Sequence, residues 1–283
     1  MISRYSLVFM FFVLGLASSL FGQRADNYPE LEKKFRSHEV VKINTAAVYD
    51  KVSSSSFTNN LEFVLPEGRN VTLTLFPSDI ISADYLLNEV TESGITNRTG
   101  TTARPMHGFV NGINDSEAAL TFNHNFVYGF VRIRSVEYYI EPVSHLIGRG
   151  DNDDFVLYKA SDVIETQEYK CAYDLDHEKG HEIHESQGHD GSRTGQCIEI
   201  RYAIASDWSM RVKYGSVTGV ENHNIGVLND VQTNYDNEFA DELSFSIVQQ
   251  FVVNCSTCDP WSPSTDPETL LISFKNWGPS GFI

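Results

Sequence analysis

The chain has 283 residues, room for one large or two ordinary domains, and 41% of them are hydrophobic, enough for packed cores. Against 38 Asp and Glu stand 21 Lys and Arg, a formal net charge of -17. A field of that sign repels phosphate backbones and anionic lipid, which excludes nucleic acid and charged membrane surfaces as partners.

Residues 1–23 read as a secretory signal peptide. Arg4 supplies a basic start, Leu7 to Leu16 an apolar run too short to span a bilayer, and Ala17-Ser18-Ser19 small residues for cleavage between Ser19 and Gln23. The expected location is therefore extracellular, with no membrane span later in the chain. Four cysteines in an exported chain favour disulfides. Asn70, Asn97, Asn114 and Asn254 each head an Asn-x-Ser/Thr sequon, which matters in a eukaryotic source.

Residues 24–148 read as a β-rich domain. Val71, Leu73 and Leu75 alternate with Thr72 and Thr74, the period of a half-buried strand. Glu67-Gly68-Arg69-Asn70 is turn chemistry after the strand at Leu61 to Leu65. Gly94 to Thr102 reads as a Gly- and Thr-rich break. Strands are expected at His107 to Val110, Ala118 to Phe122 and Phe126 to Arg134, with Asn111-Gly112 and Asn123-His124-Asn125 as turns between them. Tyr138 to Pro142 ends the block. Residues 149–196 read as an acidic, His-rich linker, because the run from Asp174 to Arg193 has almost no apolar side chain to bury.

Order returns over 197–283. Ile198, Ile200, Tyr202 and Ile204 alternate as a strand. Thr218-Gly219-Val220-Glu221 has the form of a capping box. Ile225, Leu228, Val231, Tyr235 and Phe239 then mark one apolar helix face. Leu243 to Val253 reads as a second strand. Asp266 caps a last helix with Pro267 at its first position, Leu270, Leu271, Phe274 and Trp277 on its face, and Gly278-Pro279 as its stop. Strand, helix, strand, helix is half of an α/β sandwich. Such a half is expected to be marginal, with one sheet edge unpaired.

Chemistry-bearing residues are few. Cys171 is either a removable fourth ligand on a catalytic zinc, since a thiolate there would exclude the attacking water, or the partner of Cys197 in a disulfide. Cys255 and Cys258, spaced as Cys-x-x-Cys, read as a small-loop disulfide or as partners of other cysteines. His177-Glu178-Lys179-Gly180-His181 matches His-Glu-x-x-His, which on a helix places two zinc-binding imidazoles on one face. Its flanks are almost entirely polar, and His184 and Gln187 stand where a metzincin would carry a glycine and a third histidine. His177 and His181 are therefore set aside as a catalytic zinc site. His107 and His223 are isolated in sequence and read as structural.

Pro105-Met106-His107-Gly108-Phe109-Val110-Asn111-Gly112, Ser116 to Leu120, Tyr128-Gly129-Phe130-Val131 and Tyr139-Ile140-Glu141-Pro142 follow one another in an order that resembles the propeptide of reprolysin (adamalysin/ADAM-like) zinc proteases. Ile198 to Asp207, the helix over Val220 to Phe239 and the Leu270 to Trp277 helix resemble the start of the reprolysin catalytic domain. The resemblance implies an α+β protein, an all-β propeptide domain followed by an incomplete α/β metzincin-like catalytic domain. It implies a secreted zinc metalloendopeptidase zymogen acting on protein or peptide substrates, its zinc ligands beyond Ile283. Cys171 matches the inhibitory switch in position but is followed by Ala172 where the family has glycine. Glu199 matches a first-strand glutamate that helps bind structural calcium in several members. Two other readings stay open: a non-enzymatic secreted β-rich binding or adhesion module, and a complete protease built on His177 and His181.

Overall fold

The alternation at Val71, Leu73 and Leu75 does build a strand, with these three side chains buried and Thr72 and Thr74 turned outward to Glu62 and Asn60. The structure, a computed structural model, describes residues 21–24, 28–54, 59–164, 198–239 and 242–281. In chain order the N-terminal elements are β1 (Phe21–Arg24), β2 (Glu39–Ile43), α1 (Thr45–Ser53), β3 (Asn59–Leu65), β4 (Arg69–Pro77), β5 (Ile81–Thr91) and β6 (Gly94–Thr99). Then come β7 (Arg104–Val110), β8 (Ser116–Asn123), β9 (Phe126–Ile133), β10 (Val136–Pro142), α2 (Val143–Ile147) and β11 (Asp154–Lys159). After residue 197 follow β12 (Ile198–Ser206), α3 (Trp208–Lys213), α4 (Val217–Phe239), β13 (Leu243–Val253) and α5 (Pro267–Gly281).

Nine strands form one antiparallel sheet in the order β1-β2-β11-β10-β9-β8-β7-β4-β3. β11 thus brings the first part of the stretch read as a linker into the sheet, between β10 and β2. The resemblance motifs fall on β7, β8, β9 and β10, four neighbours in this order. Two of their glycines have a steric cause. A Cβ on Gly108 would lie 1.9 Å from the Thr74 carbonyl oxygen, and one on Gly129 would lie 2.0 Å from that of Ala119. The adjoining strand leaves no room for a side chain at either position. Val48, Tyr49 and Val52 of α1 join Leu61, Leu73, Phe122 and Phe155 in the largest apolar core.

The second sheet has four strands in the order β12-β13-β5-β6. Its two halves come from opposite ends of the chain. β12 and β13 run parallel, and β13 also runs parallel to β5, with Val253 opposite Val90 and Phe251 opposite Asn88. β6 closes the hairpin on β5 across a turn at Glu92 and Ser93. The expected α+β arrangement, an all-β domain followed by an incomplete α/β metzincin-like one, is therefore corrected. Of the described residues 45% are in strands and 31% in helices, so the protein is mainly β. The edge of β13 expected to be unpaired is filled by β5. The core beneath this sheet likewise joins Ile80, Tyr85, Leu87 and Ala103 from one end of the chain to Val220, Ile225, Ile247 and Val252 from the other.

Helix α4 lies between the two sheets, touching β13 on one side and β7, β8 and β9 on the other. Its buried side chains are more often amides than hydrocarbons: Asn222, Asn224, Asn229 and Gln232 beside Val220 and Ile225. Each amide bonds a neighbouring element. Asn224 Nδ2 donates to Ser206 Oγ (3.0 Å) and Gln250 Oε1 (2.9 Å), and Asn229 Nδ2 donates to the Met106 carbonyl (3.0 Å). Gln232 Oε1 accepts from the Phe245 amide (2.5 Å) while its Nε2 donates to the Leu243 carbonyl (3.0 Å). Tyr235 and Phe239, expected on the apolar face, are 38% and 45% exposed. α5 starts as expected, with Asp266 Oδ2 accepting from the Thr269 amide (2.9 Å), but continues through Pro279 to Gly281. Trp277 packs on Phe251 and Trp261, with ring centroids 4.7 and 4.8 Å apart.

Where α4 crosses β9 the spacing is set by Gly226, on which a Cβ would lie 2.6 Å from Tyr128 Cδ1. Gly226→Ala should raise helix propensity by about 1 kcal/mol yet lower net stability by about 1–3 kcal/mol through overpacking. Denaturant unfolding measures this; a stabilised variant would contradict the contact.

Candidate functional site at the seam between the sheets

Helix α4 begins two residues earlier than the capping box predicts. Ser216 Oγ accepts from the Gly219 amide (2.8 Å) and the Ser216 carbonyl from the Val220 amide (3.0 Å), so Ser216 is the cap. Glu221 is freed from capping and is fully buried. Its Oε1 accepts from the Tyr85 hydroxyl (2.9 Å) and its Oε2 from Arg98 (2.5 Å), both on the β5–β6 hairpin. Burial, then the charge of Glu221, pushes the Tyr85 phenol up.

The start of α4 faces the end of β10 across a cavity of about 600 Å³. Pro142 leads into the single turn of α2, and Gly148, in left-handed conformation with φ 70°, ends it. That turn presents His145. Nearly two turns into α4 stands His223, with Tyr214 between them. The Tyr214 hydroxyl and His223 Nε2 are 2.8 Å apart and the two rings stack at 4.1 Å. The His145 ring meets that of Tyr214 edge-on at 4.8 Å, and Tyr128 meets His223 at 5.3 Å. Burial depresses both imidazoles, His145 to about 4 with help from Lys213, and His223 to about 3 with help from His145 and Lys213. Both are neutral at pH 7. Their Nδ1 atoms are buried with no hydrogen-bond partner among the described residues. Among the described residues no carboxylate bonds either imidazole to orient it, and Ser216 Oγ is spent on capping. The groups that nucleophilic catalysis needs are not assembled here.

Asp230 lies two turns further along α4. Burial, followed by the charges of Glu137 and Glu141, raises it well above the usual carboxylate range. Its Oδ1 is buried without a hydrogen-bond partner. As pH rises past the ordinary carboxylate range, the unfolded chain gives up this proton while the folded chain keeps it, so stability falls with rising pH. Asp230→Asn should remove that loss and raise stability at pH 7 by on the order of 1–2 kcal/mol. Urea unfolding at pH 5 and pH 7 checks it: the gain should be larger at pH 7.

The residues singled out by sequence fare differently. Cys171, His177, His181 and Cys197 lie outside the described residues, as does most of residues 1–23. Cys255 and Cys258 are joined in a disulfide. Glu199 is exposed on β12 and belongs to no cluster of three metal-binding groups among the described residues. The one such cluster is Asp151, Asp153 and Asp154. Lys42 Nζ already sits among these carboxylates, at 3.2, 3.4 and 2.8 Å. An all-carboxylate set with an ammonium at its centre does not fit zinc, which favours nitrogen and sulfur ligands, and calcium would have to displace Lys42. His145, Tyr214 and Glu221 were missed as site residues. Nothing local marks them, because the site exists only where β10 meets α4.

No family model matches the sequence, and no curated protein matches it. Among solved structures, the crystal structure of metalloproteinase-II from Bacteroides fragilis is similar, with a TM-score of 0.40 and 9% identity. The match covers 84% of this chain and 65% of that one, so the chain spans under two thirds of that structure's length. No described helix is long and apolar enough to cross a membrane.

Proposed function

We propose that this chain is the N-terminal part of a secreted zinc metalloendopeptidase precursor, with its zinc ligands on residues outside this sequence. The order of the four reprolysin-like motifs supports the reading. In that role the N-terminal region is a folding partner, since its β5–β6 hairpin supplies two of the four strands of the C-terminal sheet. That shared sheet is the observation that carries the folding-partner role. The substrate class is protein or peptide.

The test is to express this 283-residue chain and any longer reading frame that contains it, then measure bound zinc and peptide cleavage for each. The reading expects no stoichiometric zinc and no cleavage from this chain, and both from the longer product. Zinc and cleavage by this chain alone, lost in His181→Ala, would move the site to His177 and His181. A reading frame that stops after Ile283 would favour the binding-module reading.

A further inference from the structure

We propose that the seam cavity binds a small polar anion, a carboxylic acid or a phosphate ester, with its acid group between Lys213 and the start of α4. The first observation is charge. In a chain with 38 Asp and Glu, no residue lining this cavity is acidic. Two neighbouring clefts among the described residues each carry acid, Glu30 and Glu141 in one and Asp79 in the other. Glu141, next to the lining residue Pro142, is committed to the neighbouring cleft, where its Oε1 accepts from the Tyr158 hydroxyl (2.7 Å).

The second observation is a surplus of donors. Asn222 lines the cavity and is only 5% exposed; its Oδ1 accepts from Asn123 Nδ2 (3.0 Å). Its own Nδ2 has no partner among the described residues. Ser216 satisfies the Gly219 and Val220 amides, which leaves those of Val217 and Thr218 as the free first-turn donors of a 23-residue helix. His145, also in the lining, keeps a buried Nδ1 without a partner, a further donor in the Nδ1–H tautomer. Lys213 adds a full positive charge at the rim. Donors without acceptors in a partly desolvated pocket are unfavourable until an acceptor arrives, and an oxyanion supplies several acceptor lone pairs at once. A volume of about 600 Å³ is that of a small-molecule site, so the acid group carries a body, which the amides of Asn123 and Asn125 and the ring of Phe126 would meet.

The experiment uses the full chain at fixed ionic strength and measures thermal shift and calorimetric binding of inorganic phosphate and, separately, succinate, with chloride as control. At least one of the two should bind and raise the melting temperature where chloride does not. A response to phosphate alone assigns phosphate esters, and a response to succinate alone assigns carboxylic acids. Lys213→Met, at an exposed position, should weaken binding about tenfold. Thr218→Glu places a carboxylate in the first turn of α4, which favours the helix, so the unliganded protein should melt no lower while binding is lost. Shifts equal to those in chloride, or binding unchanged in both variants, would overturn the proposal.

Discussion

Glu221→Ala should lower stability by about 3 kcal/mol and release the β5–β6 hairpin from the helix. The carboxylate is fully buried, and both its partners lie on that hairpin. Removing it leaves the Tyr85 hydroxyl, 2% exposed as a residue, without its acceptor and Arg98 without its counter-charge. Breaking a buried ion pair by deleting one member costs about 3–5 kcal/mol, and the partial exposure of Arg98 places this case at the low end. Glu221→Gln keeps an acceptor for Tyr85 and loses only the charge, so it should cost about 1–2 kcal/mol. Chemical denaturation of the two variants gives the ranking. A cost under about 1 kcal/mol for the alanine variant would mean that the hairpin is held elsewhere.

Acid should unfold this protein through the seam. The sign follows from the direction of the two shifts. Above pH 6.5 both histidines are neutral folded or unfolded, and their contribution is fully present. Below it the unfolded chain takes up two protons that the folded chain refuses until about pH 4 at His145 and about pH 3 at His223. Each histidine therefore removes roughly 3 kcal/mol as pH falls from 6.5 to 4, at about 1.4 kcal/mol per pH unit. His145→Gln with His223→Gln removes the proton uptake. Its stability at pH 7 will differ from that of the parent, but its slope between pH 6.5 and 4.5 should be shallower by close to two protons. Equal slopes would show that the imidazoles protonate freely in the folded state.

How much of this could be read from sequence depends on how local the signal is. β4 and β12 announce themselves by side-chain alternation within nine residues each, and β8 and β9 by apolar runs between turn residues. The β5–β6 hairpin does not. All six residues of β6 are exposed, so Gly94 to Thr99 shows no apolar period and reads as a break. Its strand character comes from the register with β5, Thr91 opposite Gly94 to Leu86 opposite Thr99. The parallel pairing of β5 with β13 joins residues more than 150 positions apart, as Val90 and Val253 show, and no window along the chain reports it. The expected α/β half-sandwich failed for this reason: its missing strands lay upstream. α4 was legible as a helix and misread as an apolar face. Counting Ile, Leu and Val finds the period but not Asn222, Asn224, Asn229 and Gln232, whose burial depends on acceptors and donors carried by other strands.

Hydrogen exchange of the intact chain, followed by mass spectrometry, bears most directly on the shared sheet. The Ile247 amide bonds the Ile80 carbonyl (2.7 Å) and the Asn254 amide the Val90 carbonyl (2.8 Å), so β13 is tied to the N-terminal region from its middle to its end. Peptides spanning 81–99 and 243–253 should be protected alike and lose protection together as denaturant is raised. If 243–253 stays protected after 81–99 has exchanged, the two ends of the chain fold separately and the shared sheet is wrong.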